Sequence, residues 1–209
     1  MSKIFSSLQL NSKIIKNRLA VAPMTTQQSN SDGTISIEEA TWLERLADDG
    51  YGLIISCASA ISNTSIAFHN QLSLANDNMI VGLAQLSERM RIHNSINIIQ
   101  LCHGGSRAIE SLTEIKPHSA SSYTMPMIAN FVPPETLSVK QIEEIIFDFA
   151  NACERVSKAG FDGVELHGAN GYLFTQFIST MTNLRNDNYG GDLINRARFA
   201  REVVQACRK

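Results

Sequence analysis

Four short apolar segments recur along the chain, separated by stretches with helical spacing. They are Arg18-Leu19-Ala20-Val21-Ala22-Pro23, Gly52-Leu53-Ile54-Ile55-Ser56-Cys57, Asn97-Ile98-Ile99-Gln100-Leu101-Cys102-His103 and Gly163-Val164-Glu165-Leu166-His167. Several are nearly unbroken apolar runs. A strand with one wet face alternates apolar and polar residues, whereas a strand covered on both faces does not. The chain therefore reads as four βα units of an α/β fold built on a parallel sheet.

The intervening segments carry their own start and stop signals. Ser36 and Glu39 have capping-box spacing, Ala40, Leu43, Leu46 and Ala47 form an apolar stripe, and Gly50 can end that helix. Ile80, Leu83, Ala84, Ser87 and Met90 form a second stripe. Ser138 and Gln141 make another capping box, followed by Ile142, Ile145, Ile146, Phe149, Ala152, Cys153 and Val156, with Gly160 closing the segment. A fourth helix is expected over much of 190–209. Irregular loops are expected over 24–35, 104–137 and 168–188. No composition break marks a second domain, so residues 1–209 read as part of one.

Composition removes several function classes. Hydrophobic residues make up 44%, charged residues 18%, and the formal charge is -2, which is globular and not suited to broad attraction by nucleic acid or an anionic membrane. No apolar run approaches the roughly 20 residues a spanning helix needs, and the N-terminus lacks a signal-peptide core. Cys57, Cys102, Cys153 and Cys207 are too far apart for a short metal-binding pair and read as reduced thiols. The expected setting is cytoplasmic, with a small-molecule partner.

A doubly wound sheet would want a glycine-rich phosphate turn after its first strand. The segment Ala22-Pro23-Met24-Thr25-Thr26-Gln27 has none. An eight-stranded (β/α)8 barrel is preferred. Such a barrel takes about 250 residues, so these four units account for its first half, with the C-terminal half outside residues 1–209. Barrel chemistry comes from the carboxyl ends of the strands. Here that means Pro23-Met24-Thr25, Cys57-Ala58, Gln100 with His103, and His167 with Asn170 and Tyr172. A zinc site on His103 and His167 finds no HxH or HExxH spacing, and a histidine-based hydrolase finds no GxSxG. Taken singly, His167 and Tyr172 read as readily as a core histidine and a rim phenol. Gln100 is the odder residue, because an amide among Ile98, Ile99 and Leu101 needs a partner. A planar heterocycle or a neighbouring backbone edge would each serve.

The chain resembles the Old Yellow Enzyme family of FMN-dependent NAD(P)H oxidoreductases. The resemblance lies in Asn17-Arg18 through Thr25, Gly52-Leu53-Ile54-Ile55, Gln100 through Gly105, and above all Ala159 through Leu173, continuing through Gln176-Phe177, Thr182-Asn183, Arg185, Asp187, Tyr189-Gly190-Gly191 and Asn195-Arg196. It implies a barrel that holds FMN, takes hydride from NADH or NADPH and reduces activated C=C bonds of enone-like substrates. Residue by residue, it implies that Pro23 and Met24 line the flavin through their backbone and that Thr25 bonds near a flavin carbonyl. Ala58 would sit beside the ring system and Gln100 at its pyrimidine edge. His167 and Asn170 would hold the substrate oxygen, and Tyr172 would give the α-carbon its proton. Arg185, Asp187 and Tyr189 are expected to fix the last loop by an ion pair and stacking, joined by Arg196. His103 is expected to anchor a loop, and Tyr123, Met125 and Phe131 are candidate pocket walls.

Two features depart from the family pattern. Cys102 replaces a bulkier aromatic, and Ser106 interrupts the usual histidine-small-glycine-arginine run one residue before Arg107, so the family's role for that arginine does not carry over to Arg107. Alternative readings stay open: a relative acting on dienoyl-CoA or amine substrates, or a non-catalytic fragment of such a barrel. A homo-oligomer or a complementing C-terminal half would cover the open edge. Alone, a half barrel is expected to bind FMN weakly and show little activity.

Overall fold

The structure, a computed structural model, describes residues 3–125, 128 and 131–208. In chain order the elements are β1 (Leu8–Leu10), β2 (Lys13–Ile15), β3 (Ala20–Val21), α1 (Ile37–Asp48), β4 (Leu53–Ala60), α2 (Met79–Arg91), β5 (Ile96–Cys102), α3 (Glu110–Thr113), β6 (His118–Ser119), β7 (Glu135–Thr136), α4 (Val139–Lys158), β8 (Gly163–Leu166), α5 (Leu173–Ile178), α6 (Leu193–Arg196) and α7 (Arg198–Cys207). The four anticipated strands form one sheet in the order β3-β4-β5-β8. Ala20 pairs with Leu53 in parallel register, and Ile98 through Leu101 pair with Gly163 through Leu166 in the same sense. Among the described residues, no helix is long and apolar enough to cross a membrane.

Both capping signals start helices, by different chemistry. Ser138 and Gln141 close a reciprocal box: the Ser138 hydroxyl accepts from the Gln141 N–H at 3.2 Å, and the Gln141 side-chain oxygen accepts from the Ser138 N–H at 2.9 Å. Ser36 likewise accepts from the Glu39 N–H at 3.0 Å. Glu39, however, does not reach back to Ser36. It is fully buried, and its carboxylate takes hydrogen bonds from the Ser29 hydroxyl and, at 2.9 Å, from the Cys57 thiol. A carboxylate without water needs several donors, and residue 29 of the loop and residue 57 of the strand supply them. Gly50 and Gly160 follow α1 and α4 at φ values of 96° and 82°, the left-handed conformation that ends helices.

The described residues divide into two compact units. The first takes the chain up to Ser59, then Asn70–Leu101 and Cys153–Leu166. Leu43, Ala47, Ile54, Leu86 and Met90 form its core, with Trp42 and Phe161 packed against them. Asp162 links two of its segments, accepting from Lys13 at 2.5 Å and from the Asn97 N–H at 2.8 Å. The second unit takes Ala60–His69, Cys102–Ala152 and the chain from His167 on. Its core is aromatic: Phe177 stacks on Phe199 at 4.5 Å, and Phe149 meets Phe174 edge-on at 5.3 Å. Truncating any one of these rings to alanine is of the order that costs about 3–5 kcal/mol.

Four expectations need correction. The hairpin β1–β2 was not anticipated; its strands have three residues each, too few for a readable period. The stretch 104–137 is not structureless, since it holds α3 and the small parallel pair β6–β7. The stretch 168–188 contains α5, six residues long and also below the length at which helical spacing can be read. The last helix is two: Asp192 caps α6 by accepting from the Asn195 N–H at 2.8 Å, and α7 begins at Arg198.

Candidate active site

In the first unit, Pro23, Met24 and Thr25 follow β3 after Ala22, and Met24 and Thr25 are exposed. Ala58 is buried in β4, its carbonyl accepting from the Gln71 amide at 2.8 Å. Gln100 is buried in β5. Its backbone N–H donates to the Ser56 hydroxyl at 3.2 Å, and its side-chain Nε2 donates to the Glu165 carboxylate at 2.5 Å. Gln100 and Glu165 are register partners on neighbouring parallel strands, so their side chains leave the same face. The amide that required a partner thus has a carboxylate from β8.

In the second unit, His167 follows Leu166 and is buried, while Gly168, Ala169 and Asn170 are exposed. Asn170 and Gly171 are both left-handed, at φ 57° and 75°. That conformation suits asparagine and glycine better than other residues. The turn it makes brings the Tyr172 ring to 4.9 Å from the His167 ring, tilted by 54°. Burial pushes the Tyr172 phenol above its ordinary pKa, the Cys102 thiol adds to this, and the Arg107 cation opposes it. The phenol therefore keeps its proton at neutral pH. Arg107 lies over that ring, its guanidinium carbon 5.0 Å from the centroid, and its Nη1 donates to the Asn170 carbonyl at 2.6 Å.

Behind this turn stands Gln176, which sequence reasoning did not single out as a structural hub. Its oxygen accepts from the Ser106 N–H at 3.0 Å and the Ser119 hydroxyl at 2.9 Å, and its Nε2 donates to the Gly171 carbonyl at 2.7 Å. Gly105, at φ 60°, leaves the room: a Cβ there would lie 2.2 Å from the Gln176 oxygen. His103 is buried and anchors the same loop, as anticipated. Its Nδ1 accepts from the Gly105 N–H at 3.0 Å, and its carbonyl accepts from the Leu173 N–H at 3.2 Å. Burial first, and the nearby His118 second, lower its pKa to about 3, so it stays neutral.

The latch after β8 also follows expectation. Arg185 pairs with Asp187 at 2.6 Å and donates to the Ala120 carbonyl at 2.7 Å. Tyr189 meets Phe177 edge-on at 6.2 Å. Arg196 donates to the Ile178 carbonyl at 2.8 Å. Tyr123 and Met125 line a cavity of about 250 Å³ together with Gly171, Thr175 and Met181, and Phe131 packs 5.5 Å from the Tyr123 ring. The sequence marked Arg107 only as a departure from the family run; its contacts join residues more than sixty positions apart and were not readable.

The NADH:flavin oxidoreductase / NADH oxidase family profile matches residues 3–209. An NADPH dehydrogenase of Bacillus pumilus (strain SAFR-032) is 35% identical over 98% of this chain and 60% of its own length. An NADH:fumarate oxidoreductase of Klebsiella pneumoniae (strain 342) is 36% identical over 95% of this chain and 21% of its own. The chain thus spans less than two thirds of the length of either relative. Among solved structures, an Old Yellow Enzyme homologue from Zymomonas mobilis superposes with a TM-score of 0.91 at 26% identity, over 98% of this chain and 59% of that one. Morphinone reductase in complex with tetrahydroNAD gives 0.90 at 30% identity, over 99% and 60%. These bear out the reading of a partial α/β barrel and of FMN and a nicotinamide as the implied cofactors. The chain belongs to the NADH:flavin oxidoreductase / NADH oxidase family, the Old Yellow Enzyme family its own sequence motifs suggested.

Proposed function

We propose that this chain serves an FMN-dependent, NAD(P)H-driven reduction of activated C=C bonds in enone-like small molecules, acting in the cytoplasm. The observation that carries this reading is the His167–Asn170–Tyr172 group: an imidazole ring 4.9 Å from a phenol that burial keeps protonated, with an exposed amide two residues before it. Bound FMN would supply the two-electron exchange between nicotinamide and alkene. The residues of the first unit suit such a group. Met24 and Thr25 are exposed after β3, free to be covered by a planar ring. Glu165 takes one N–H of the Gln100 amide, which leaves a second N–H and a carbonyl for an edge that alternates donors and acceptors.

In this reading His167 and Asn170 donate hydrogen bonds to the substrate's carbonyl or nitro oxygen. As negative charge grows on that oxygen, both bonds strengthen, which is oxyanion stabilisation. Tyr172 then delivers its phenolic proton to the α-carbon as a general acid. A C-terminal half, on the same polypeptide or a complementing one, would close the barrel around them.

The test uses the intact product of the encoding reading frame, loaded with FMN. Tyr172→Phe should slow reduction of a cyclic enone by about 10²–10⁴-fold, the usual worth of a general acid, while NAD(P)H still bleaches the flavin at an unchanged rate. Full enone turnover by both Tyr172→Phe and a His167→Ala/Asn170→Ala double variant would sink the proposal.

A further inference from the structure

We propose that Arg107 is the positioning residue for the Asn170–Tyr172 turn, gripping the turn through the Asn170 carbonyl and the phenol through a cation held over its ring. This rests on the reading of Tyr172 as proton donor. The argument begins with the anchoring of Arg107 itself. It ends the 3-10 turn Gly105–Arg107, and its N–H donates to the Gly104 carbonyl at 3.1 Å. The preceding Ser106 N–H is held by Gln176 at 3.0 Å. The exposed side chain therefore starts from a pinned backbone.

From there one guanidinium does two things. An N–H grips the Asn170 carbonyl at 2.6 Å, on the first of two consecutive left-handed residues. Its guanidinium carbon lies over the Tyr172 ring at 5.0 Å from the centroid. Gly171, between those two contacts, has the Arg107 side chain as the nearest group that an added Cβ would meet, at 3.8 Å. Arginine can stack on a ring while still donating in its plane, whereas a lysine ammonium cannot do both.

The chemical consequence concerns the phenol. A cation over the ring stabilises the phenolate that remains after proton transfer. The groups acting on that ring are the Cys102 thiol, the His167 imidazole and Arg107. Burial and the thiol hold the proton on, and Arg107 works in the other direction.

The experiment places 3,5-difluorotyrosine at position 172 of the intact, FMN-loaded product of the encoding reading frame, where the phenol ionises nearer neutral pH, and follows its ¹⁹F resonance through a titration. Arg107→Ala should raise the ionisation midpoint by about half a pH unit, the scale of one cation–ring contact. Arg107→Lys should fall between the two. A melting temperature that drops in Arg107→Ala while the midpoint stays put would mean a latch with no hold on the phenol, and would overturn the proposal. So would unchanged midpoints in both variants. The reading of Tyr172 fails separately: full enone turnover by Tyr172→Phe sinks that role whatever the ¹⁹F titration gives.

Discussion

The thiol of Cys57 donates to the carboxylate of Glu39 at 2.9 Å, and both residues are buried. The thiol's pKa is raised well above its ordinary value, by burial first and by the Glu39 carboxylate second. That order decides what Glu39→Gln does. The charge goes, but the burial stays, so Cys57 should remain about tenfold or more slower to react with a disulfide reagent than the half-buried Cys153. The variant should also lose about 1–3 kcal/mol in urea unfolding, because an amide cannot accept from Ser29 and Cys57 as a carboxylate does. Labelling of Cys57 as fast as Cys153 would refute the ranking of causes.

His103 predicts an acid-side slope. Its pKa is about 3 in the folded protein against an ordinary 6.5. Below 6.5 the unfolded chain takes up a proton that the folded chain refuses, so unfolding gains as pH falls. The cost is up to about 1.4 kcal/mol per pH unit, accumulating from 6.5 down to about 3. His103→Gln should flatten the curve across that window relative to the wild type. Parallel stability curves between pH 6.5 and 4 would contradict the neutral, acceptor role of this ring.

Two glycines separate conformational strain from collision. Gly50 has φ 96° but nothing within 4 Å of an added Cβ, so Gly50→Ala should cost about 1–2 kcal/mol from backbone strain alone. Gly105, at φ 60°, adds a collision at 2.2 Å with the Gln176 oxygen. Gly105→Ala should therefore cost about 2–4 kcal/mol, since it also displaces the Ser106 and Ser119 hydrogen bonds. Denaturant midpoints for the pair give the comparison, and equal losses would mean that Gln176 moves aside freely.

Arg185 is 6% exposed in its ion pair with Asp187 and also donates to the carbonyls of Ala120 and Leu137. Arg185→Lys keeps the charge but cannot reach two carbonyls and a carboxylate together. A loss of about 2–3 kcal/mol is expected, on the scale of buried acceptors left bare. The same arginine holds the Asp187 carboxyl below its ordinary pKa. That contribution is present above the unfolded value and disappears as pH falls through the folded one, so Arg185→Met should show a shallower acid limb. Calorimetry between pH 3 and 7 measures both effects.

What the sequence made legible was whatever had a local signature. The strands β4, β5 and β8 stand out as short, largely apolar runs bounded by small or polar residues. α4 stands out because Ser138, Gln141 and a stripe up to Val156 agree on one period. Gly50 and Gly160 mark helix ends because few other residues accept their backbone angles. The candidate site was suggested by the motif from His167 to Tyr172. Contacts that join distant positions were not. Arg107 meets Tyr172, Glu165 meets Gln100 and Gln176 braces Ser106 only once strands and turns are aligned. Ser36–Glu39 is the instructive half-success: the spacing predicted the cap, but Glu39 spends its carboxylate on Ser29 and Cys57 because burial leaves it no water.

β8 contributes four half-buried residues and, among the described residues, has a strand neighbour only in β5. In the barrel that the family implies, the outward row of backbone amides and carbonyls on such a strand is where the next parallel strand would pair. Glu165 leaves the sheet face instead and holds the buried Gln100 amide, so Glu165→Ala strips that amide of its partner and should cost about 1–3 kcal/mol in denaturant unfolding.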